Sequence, residues 1–359
     1  MNCRILVLLI ISLFSLHVLA EGEQTRLFKS HTVLNLTMPV DFDALCRPSL
    51  TPDCDYTATE FIYLDSEGRE QSVPISIRRR DGWRALQTNC QVPTLFVRFN
   101  PETTVGTPFE GQSELALTSH CGKGISPKNV ASPALPSDFE RYVINEYLGY
   151  RIYNLISDMS LGVRLVRMHY TNPEDGRGNF TRDAFFSEHF EALAERFNSP
   201  LLPPGSFDPA TLDWRAAEKI ALFQYMVGNT DWSIEEQENI VLFRTPSGKD
   251  APVVFDLDMS GLVNAHYAAP SRNAPISNVK QRYFMGYCHP DTNWDDLFTQ
   301  FSELEVPVMT MLIETPGLGR GDRRISGAYL DSFFEILDSE EARESNIVNA
   351  CRPMPAAVQ

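Results

Sequence analysis

Three polar side chains between Gly228 and Gly261, in GNTDWSIEEQENIVLFRTPSGKDAPVVFDLDMSG, stand where apolar elements are expected to end. Asp231 follows a buried helix, Asn239 opens a strand, and Asp256 closes the next strand. A carboxylate, a carboxamide and a second carboxylate at the mouths of adjacent elements can converge on one point. The set suits phosphoryl transfer: one Asp orients the attacking hydroxyl, while Asn and the other Asp hold Mg2+ (or Mn2+) against the phosphates of ATP or another nucleotide. Asp231 is therefore the candidate catalytic residue, and Asn239, Asp256 and Asp258 are candidate metal ligands. Side chains alternate along an extended chain, so Asp258 is expected to face away from Asp256 unless the backbone turns between them.

Such residues need rigid elements behind them. Helix Trp214 to Val227 is well signalled: Asp213 caps it, and Ala216, Ile220, Phe223 and Val227 share one face. Ile240 to Phe243 and Val253 to Phe255 read as short buried strands. Upstream, Val73, Ile75 and Ile77 alternate with polar neighbours, as do Leu95, Val97 and Phe99, and Glu114 to Thr118 is another strand. Asp138 to Ser157 is apolar or aromatic on nearly every face, the pattern of a helix buried on several sides. Val163 to Tyr170 and Ala184 to Phe186 are extended, whereas Phe190 to Phe197, Val306 to Ile313 and Gly327 to Leu337 are helical. Glu21 to about Cys54 reads as a loosely structured lead-in, and Ser126 to Ser137 as a loop. The order implies a signal peptide over 1–20, an N-terminal extension over 21–60, a β-rich region with one long helix over 61–200, and a helical region carrying the catalytic segment over 201–359.

The helix, then Asn229-Thr230-Asp231-Trp232-Ser233, Glu238-Asn239-Ile240-Val241-Leu242 and Phe255-Asp256-Leu257-Asp258, resembles the catalytic segment of the spore-coat protein H (CotH-like) kinases. These are atypical members of the protein-kinase-like fold. Ser76 to Arg80 with Pro93 to Phe99 is similar to that family's paired strands, Asn145 to Leu148 to its first long helix, and Phe185 to Glu188 to its hinge-like strand. The resemblance runs from Ile75 to Gly261, roughly half of the chain. It implies an α+β, two-lobed protein-kinase-like fold with a β-rich N-lobe and an α-rich C-lobe. It also implies that Asp231 is the base-like residue, that Asn239 and Asp256 hold the metal, that Glu146 pairs with a phosphate-binding cation, and that Glu188 lies near an adenine edge.

Two features depart from the family's pattern. A kinase uses a strand lysine on the α and β phosphates. The strand Glu114 to Thr118 has none, which leaves Arg98 or Lys123 as the substitute, and an arginine can bind phosphate bidentately. No glycine-rich phosphate loop precedes these strands either. A non-catalytic, pseudokinase-type protein that binds a nucleotide or a partner is therefore one alternative. Val253 to Asp258 also looks like the opening strand of a haloacid-dehalogenase-type phosphatase, with Asp256 as nucleophile and Asp258 as general acid. That fold requires a succession of strands after Asp258, where the pattern is helical. An Asp-x-Asp pair can likewise hold Mn2+ and a nucleotide sugar in a glycosyltransferase.

Composition bounds the setting. Arg4, the uncharged apolar run Ile5 to Leu16 and the small residues of Val18-Leu19-Ala20 have the form of a signal peptide, so a periplasmic or extracellular protein is expected. No later segment is long and apolar enough for a membrane span. Cys46, Cys54, Cys90, Cys121, Cys288 and Cys351 follow it, an even set that suggests disulfides; the sequence does not choose among their fifteen pairings, and proximity alone points to Cys46 with Cys54 and Cys90 with Cys121. A net charge of −16 repels nucleic acid and anionic lipid, which leaves a nucleotide and an exported protein acceptor as the expected partners.

Overall fold

The computed structural model describes residues 22–46, 55–80, 82, 84, 90–122, 138–172 and 179–355. The expected signal peptide, Lys123, Cys54 and the Ser126 to Ser137 loop lie outside the described residues. Among those described, no helix is long and apolar enough to cross a membrane.

A short helix, α1 (Arg26–Lys29), leads into β1 (Leu34–Pro39), β2 (Thr57–Leu64), β3 (Glu70–Arg79) and β4 (Leu95–Phe99). Helix α2 (Pro101–Thr104) and strand β5 (Glu114–Thr118) follow, then α3 (Asp138–Ile156), β6 (Val163–Thr171) and β7 (Phe180–Glu188). These seven strands close into a barrel in the order β1-β2-β3-β4-β5-β7-β6. Val73, Ile75 and Ile77 of β3 and Leu95 and Val97 of β4 point inward, as their alternation requires. In the barrel interior Phe61 stacks on Phe109 and Phe186 meets both edge-on, with ring centroids 5.4 to 6.1 Å apart. All three rings are fully buried, and burial of each is worth about 1.5–3 kcal/mol.

The closed barrel overturns the expected two-lobed, protein-kinase-like fold with its β-rich N-lobe and α-rich C-lobe. The cause lies in β1, within the stretch that reads as a loose lead-in. Leu36 and Met38 alternate inward between the more exposed Asn35, Thr37 and Pro39. The strand inserts between β2 and β6, running parallel to β6 from Leu34 opposite Val166 to Pro39 opposite Thr171. An open sheet exposes two edges, and here β1 seals both.

The rest of the chain packs as helices around a second core. Helix α4 (Phe190–Arg196) precedes α5 (Trp214–Val227), and the antiparallel pair β8 (Ile240–Arg244) and β9 (Asp250–Val254) comes next. The longer helices α6 (Trp294–Ser302), α7 (Glu305–Glu314) and α8 (Arg320–Asp338) follow, and a short helix, Glu340–Arg343, runs on into a π-helical turn, Glu344–Val348. Helix α3 runs between the two cores, which is why it is buried on several faces: Tyr147, Leu148 and Ile152 pack with Phe223 of α5 and with Phe185 of β7. After Asp258 there is no further strand among the described residues, so the haloacid-dehalogenase reading finds no sheet to sit on.

Two disulfides are formed among the described residues. Cys90–Cys121, expected from proximity, ties the run into β4 to the end of β5, and Cys288–Cys351 ties the chain after β9 to its C-terminal turn. Cys46 is also disulfide-bonded, and the expected Cys46–Cys54 pairing lies outside the described residues.

Candidate active site

Helix α5 begins at Asp213, whose Oδ1 accepts a 3.0 Å hydrogen bond from the Ala216 amide. It ends at Gly228, which takes the left-handed conformation (φ 65°, ψ 40°) that favours glycine. A side chain there would also collide with Tyr329, whose hydroxyl would lie 1.8 Å from an added Cβ. The chain then makes a tight turn in which the Asn229 side chain accepts from the Asp231 amide at 2.9 Å. That turn presents the Asp231 carboxylate beyond the helix end.

Antiparallel pairing brings the other two residues to the same place. Ile240 at the start of β8 faces Val254 at the end of β9, so Asn239 and Asp256, one step before and two steps after those residues, share one sheet end. Asn239 donates from Nδ2 to the Asp231 carbonyl at 2.7 Å and to Asp231 Oδ2 at 3.0 Å. Both Asn239 (φ 52°) and Asp256 (φ 53°) adopt left-handed backbone angles. The bend at Asp256 is the turn that alternation alone does not foresee, and it brings Asp258 to the same cavity as Asp256. Tyr150 of α3 accepts a 2.8 Å hydrogen bond from the Asp256 amide and holds the bend.

Asp231, Glu238, Asn239, Asp256 and Asp258 line one wall of a cavity of about 450 Å3, which Arg80 and Arg84 complete from the barrel side. The Arg84 guanidinium bridges three carboxylates. It lies 3.3 Å from Glu146 Oε2, 3.1 Å from Asp256 Oδ1 and 2.6 Å from Asp258 Oδ2. Tyr267 donates its hydroxyl to Asp258 at 2.9 Å.

Electrostatics follow from this crowding. Burial, more than any charge, raises the carboxyl of Glu146, with Arg84 opposing the rise. Asp256 is raised by burial and then by Asp258, against the pull of Arg84 and Arg80. Asp231 is raised by burial, then by the charges of Glu238 and Asp258, with the Asn239 hydrogen bond opposing. Arg84, surrounded by Glu146, Asp258 and Asp256, is held charged well above its ordinary value despite burial.

Glu188 lines an adjoining cavity of about 160 Å3, which shares Arg80 and Asp256 with the first and is bounded by Phe96, Phe190 and Phe255. Its carboxylate is spent on Arg196 (2.7 Å) and the Gly162 amide (3.0 Å), so it walls that cavity more than it offers an acceptor to it. Arg98 is a correction. It sits on the outer face of β4, pairs with Glu114 at 3.0 Å and stacks over Tyr56, and it lines neither cavity.

Arg84 does what Arg98 was expected to do for Glu146, and the sequence pattern does not reveal it. It lies between two strands rather than on one, and the Asp81-Gly82 turn signal before it says only that the chain reverses. Arg80 and Glu238 fall within the motifs without receiving a role there, and Tyr150 and Tyr267 lie outside them, because each comes from a different part of the chain.

Asn239, Asp256 and Asp258 bring side-chain oxygens to the cavity, the donor type that a hard cation takes. Among the described residues no group of three or more His, Cys, Asp and Glu side chains is placed to hold a metal alone.

No family model matches the chain, and no curated protein matches it. Membership of the spore-coat protein H kinases is thus not shown. Among solved structures, the Helicobacter pylori proinflammatory kinase CtkA is similar at a TM-score of 0.37 and 10% identity, over 75% of this chain and 95% of that one. A likeness of that size carries no argument about this chain, and its chemistry has to be read from its own residues.

Proposed function

We propose that the chain is an exported phosphotransferase that binds a nucleotide, ATP or a relative, with Mg2+ or Mn2+ and passes a phosphoryl group to an exported acceptor. The single observation that carries this reading is the convergence of Asp231, Asn239, Asp256 and Asp258 on one cavity with two arginines opposite. The 160 Å3 cavity beside it, apolar at Phe96, Phe190 and Phe255, suits a planar base. Arg80 and Asp256 line both cavities, so phosphates attached to such a base would reach the larger one.

A cation held there would supply charge neutralisation for the phosphates. Asn239 and Asp256, with Asp258 behind, would hold it. Asn239 also orients Asp231 through the 3.0 Å bond to Oδ2. The free oxygen of Asp231 accepts the proton of the acceptor hydroxyl as its oxygen bonds to phosphorus and the bond to the leaving phosphate breaks. The raised carboxyl of Asp231 brings it nearer to neutrality as a proton acceptor. Arg80 and Arg84 offer guanidinium donors to phosphate oxygens.

Export rests on the N-terminal pattern and accords with the disulfides. Outside the cytoplasm nucleotide is scarce, so tight binding in place of rapid turnover is expected. Thermal unfolding with ATP, with Mg2+, and with both tests the reading. Stabilisation that needs both and vanishes in a folded Asp256→Ala variant is the expected result; no shift with both together sinks it. Incorporation of labelled γ-phosphate into a protein acceptor then identifies a phosphotransferase, and binding without transfer identifies a pseudokinase-type protein.

A further inference from the structure

We propose that the Arg84 guanidinium is the resident counter-ion of the acidic site, and that a divalent cation binds Asp256 and Asp258 only by displacing Arg84 from them. The inference rests on the reading of Asp256 as a metal ligand. One guanidinium is shared among three carboxylates brought from separate parts of the chain: Glu146 on α3, and Asp256 and Asp258 after β9. Arginine does not give up its proton, so its charge stays in the site at every working pH.

A cation on an oxygen of Asp256 would lie about 2.0–2.1 Å from it, while Arg84 Nη2 already lies 3.1 Å from Asp256 Oδ1 and 2.6 Å from Asp258 Oδ2. Two positive centres on the same oxygens repel strongly in a shielded cavity. The three carboxylates also differ in access. The Asp256 side chain is 38% exposed and faces the cavity, whereas that of Glu146 is 4% exposed behind Arg84. A cation arriving from the cavity therefore meets Asp256 first and leaves Glu146 to the arginine. The fork of Arg84 permits this division, because Nη1 bonds to Glu146, Nε to Asp258, and Nη2, which serves Asp256, also reaches Glu146 at 3.4 Å.

Nη2 and Nε, once freed, need an anion, and nucleotide phosphates in the same cavity supply one. Metal alone must evict Arg84 without compensation; metal with phosphates offers it a new partner. The two ligands are therefore positively coupled through this side chain.

The test is Mn2+ binding to the full chain with disulfides intact, followed by electron paramagnetic resonance at pH 8, with and without ATP. Arg84→Gln is expected to bind Mn2+ alone about tenfold more tightly than wild type or better, and to lose most of the strengthening that ATP brings. Arg84→Lys, one point charge on a shorter reach, is expected to fall between them and serves if the glutamine variant does not fold. Equal or weaker Mn2+ binding by both variants overturns the inference while leaving the metal site standing. No Mn2+ binding that depends on Asp256, in any form with ATP, overturns the metal reading and the inference with it.

Discussion

The Tyr150 hydroxyl on α3 accepts a 2.8 Å hydrogen bond from the backbone amide of Asp256, at a residue whose φ is 53°. The long helix thereby fixes the bend that turns Asp258 into the cavity. Removing the hydroxyl leaves a shielded N–H without an acceptor, a loss of about 1–3 kcal/mol. Tyr150→Phe is expected to lower the unfolding temperature and to weaken metal-dependent nucleotide binding together. A variant that loses stability alone would show that the bend survives without its clamp.

The acid limb of activity should report the charge of Glu238. Asp231 must be ionised to accept a proton, and burial followed by Glu238 and Asp258 holds its carboxyl above the ordinary range. Activity therefore falls as pH drops through that raised value. Glu238→Gln removes one of the charges, so the limb in kcat/KM is expected to move to lower pH. Glu238 is exposed, so salt should move the wild-type limb the same way and leave the variant less affected. An unmoved limb would take Asp231 out of the proton transfer.

His120 makes the fold acid-sensitive. It is fully buried, neither ring nitrogen has a hydrogen-bond partner among the described residues, and burial, with the Arg182 charge adding, pushes its pKa down from 6.5 to about 3. The folded state keeps the ring neutral while the unfolded chain takes up a proton below 6.5. Its contribution is therefore present above that pH and is lost as pH falls toward 3, at about 1.4 kcal/mol per unit, or about 2 kcal/mol by pH 5. Chemical unfolding of wild type and His120→Leu at pH 7.5 and 5 checks this. The gap between the two proteins should narrow or reverse at the lower pH, and parallel losses would rule the histidine out.

The Cys90–Cys121 bridge spans 31 residues and pins the chain shortly after Arg84 to the end of β5. On the loop-entropy model such a bridge is worth about 3–4 kcal/mol. The Cys90→Ser, Cys121→Ser double variant is expected to lose about that much in denaturant unfolding. It should also lose grip on the Arg84 contacts, read as tighter Mn2+ binding in the absence of ATP. A loss of stability without any change in Mn2+ affinity would place the anchoring of Arg84 in its carboxylate partners alone.

Local pattern suffices for most elements of this chain. Alternation marks Val73 to Ile77 and Leu95 to Phe99 as strands, and the cap and apolar face of Trp214 to Val227 mark its helix, because each signal lies within a few residues of the backbone it shapes. The same local logic places Asp231, Asn239 and Asp256 at the ends of elements, since an antiparallel pair brings the start of one strand to the end of the next. Closure of the barrel is another matter. Leu36 and Met38 are a weak pattern alone, and their strand exists because β2 and β6, distant in sequence, leave a gap of the right width. Arg84 and the positive φ of Asp256 are decided at the same level. A guanidinium seeks carboxylates wherever folding has gathered them, and no spacing in the sequence encodes that α3 and the turn after β9 will gather theirs around Arg84.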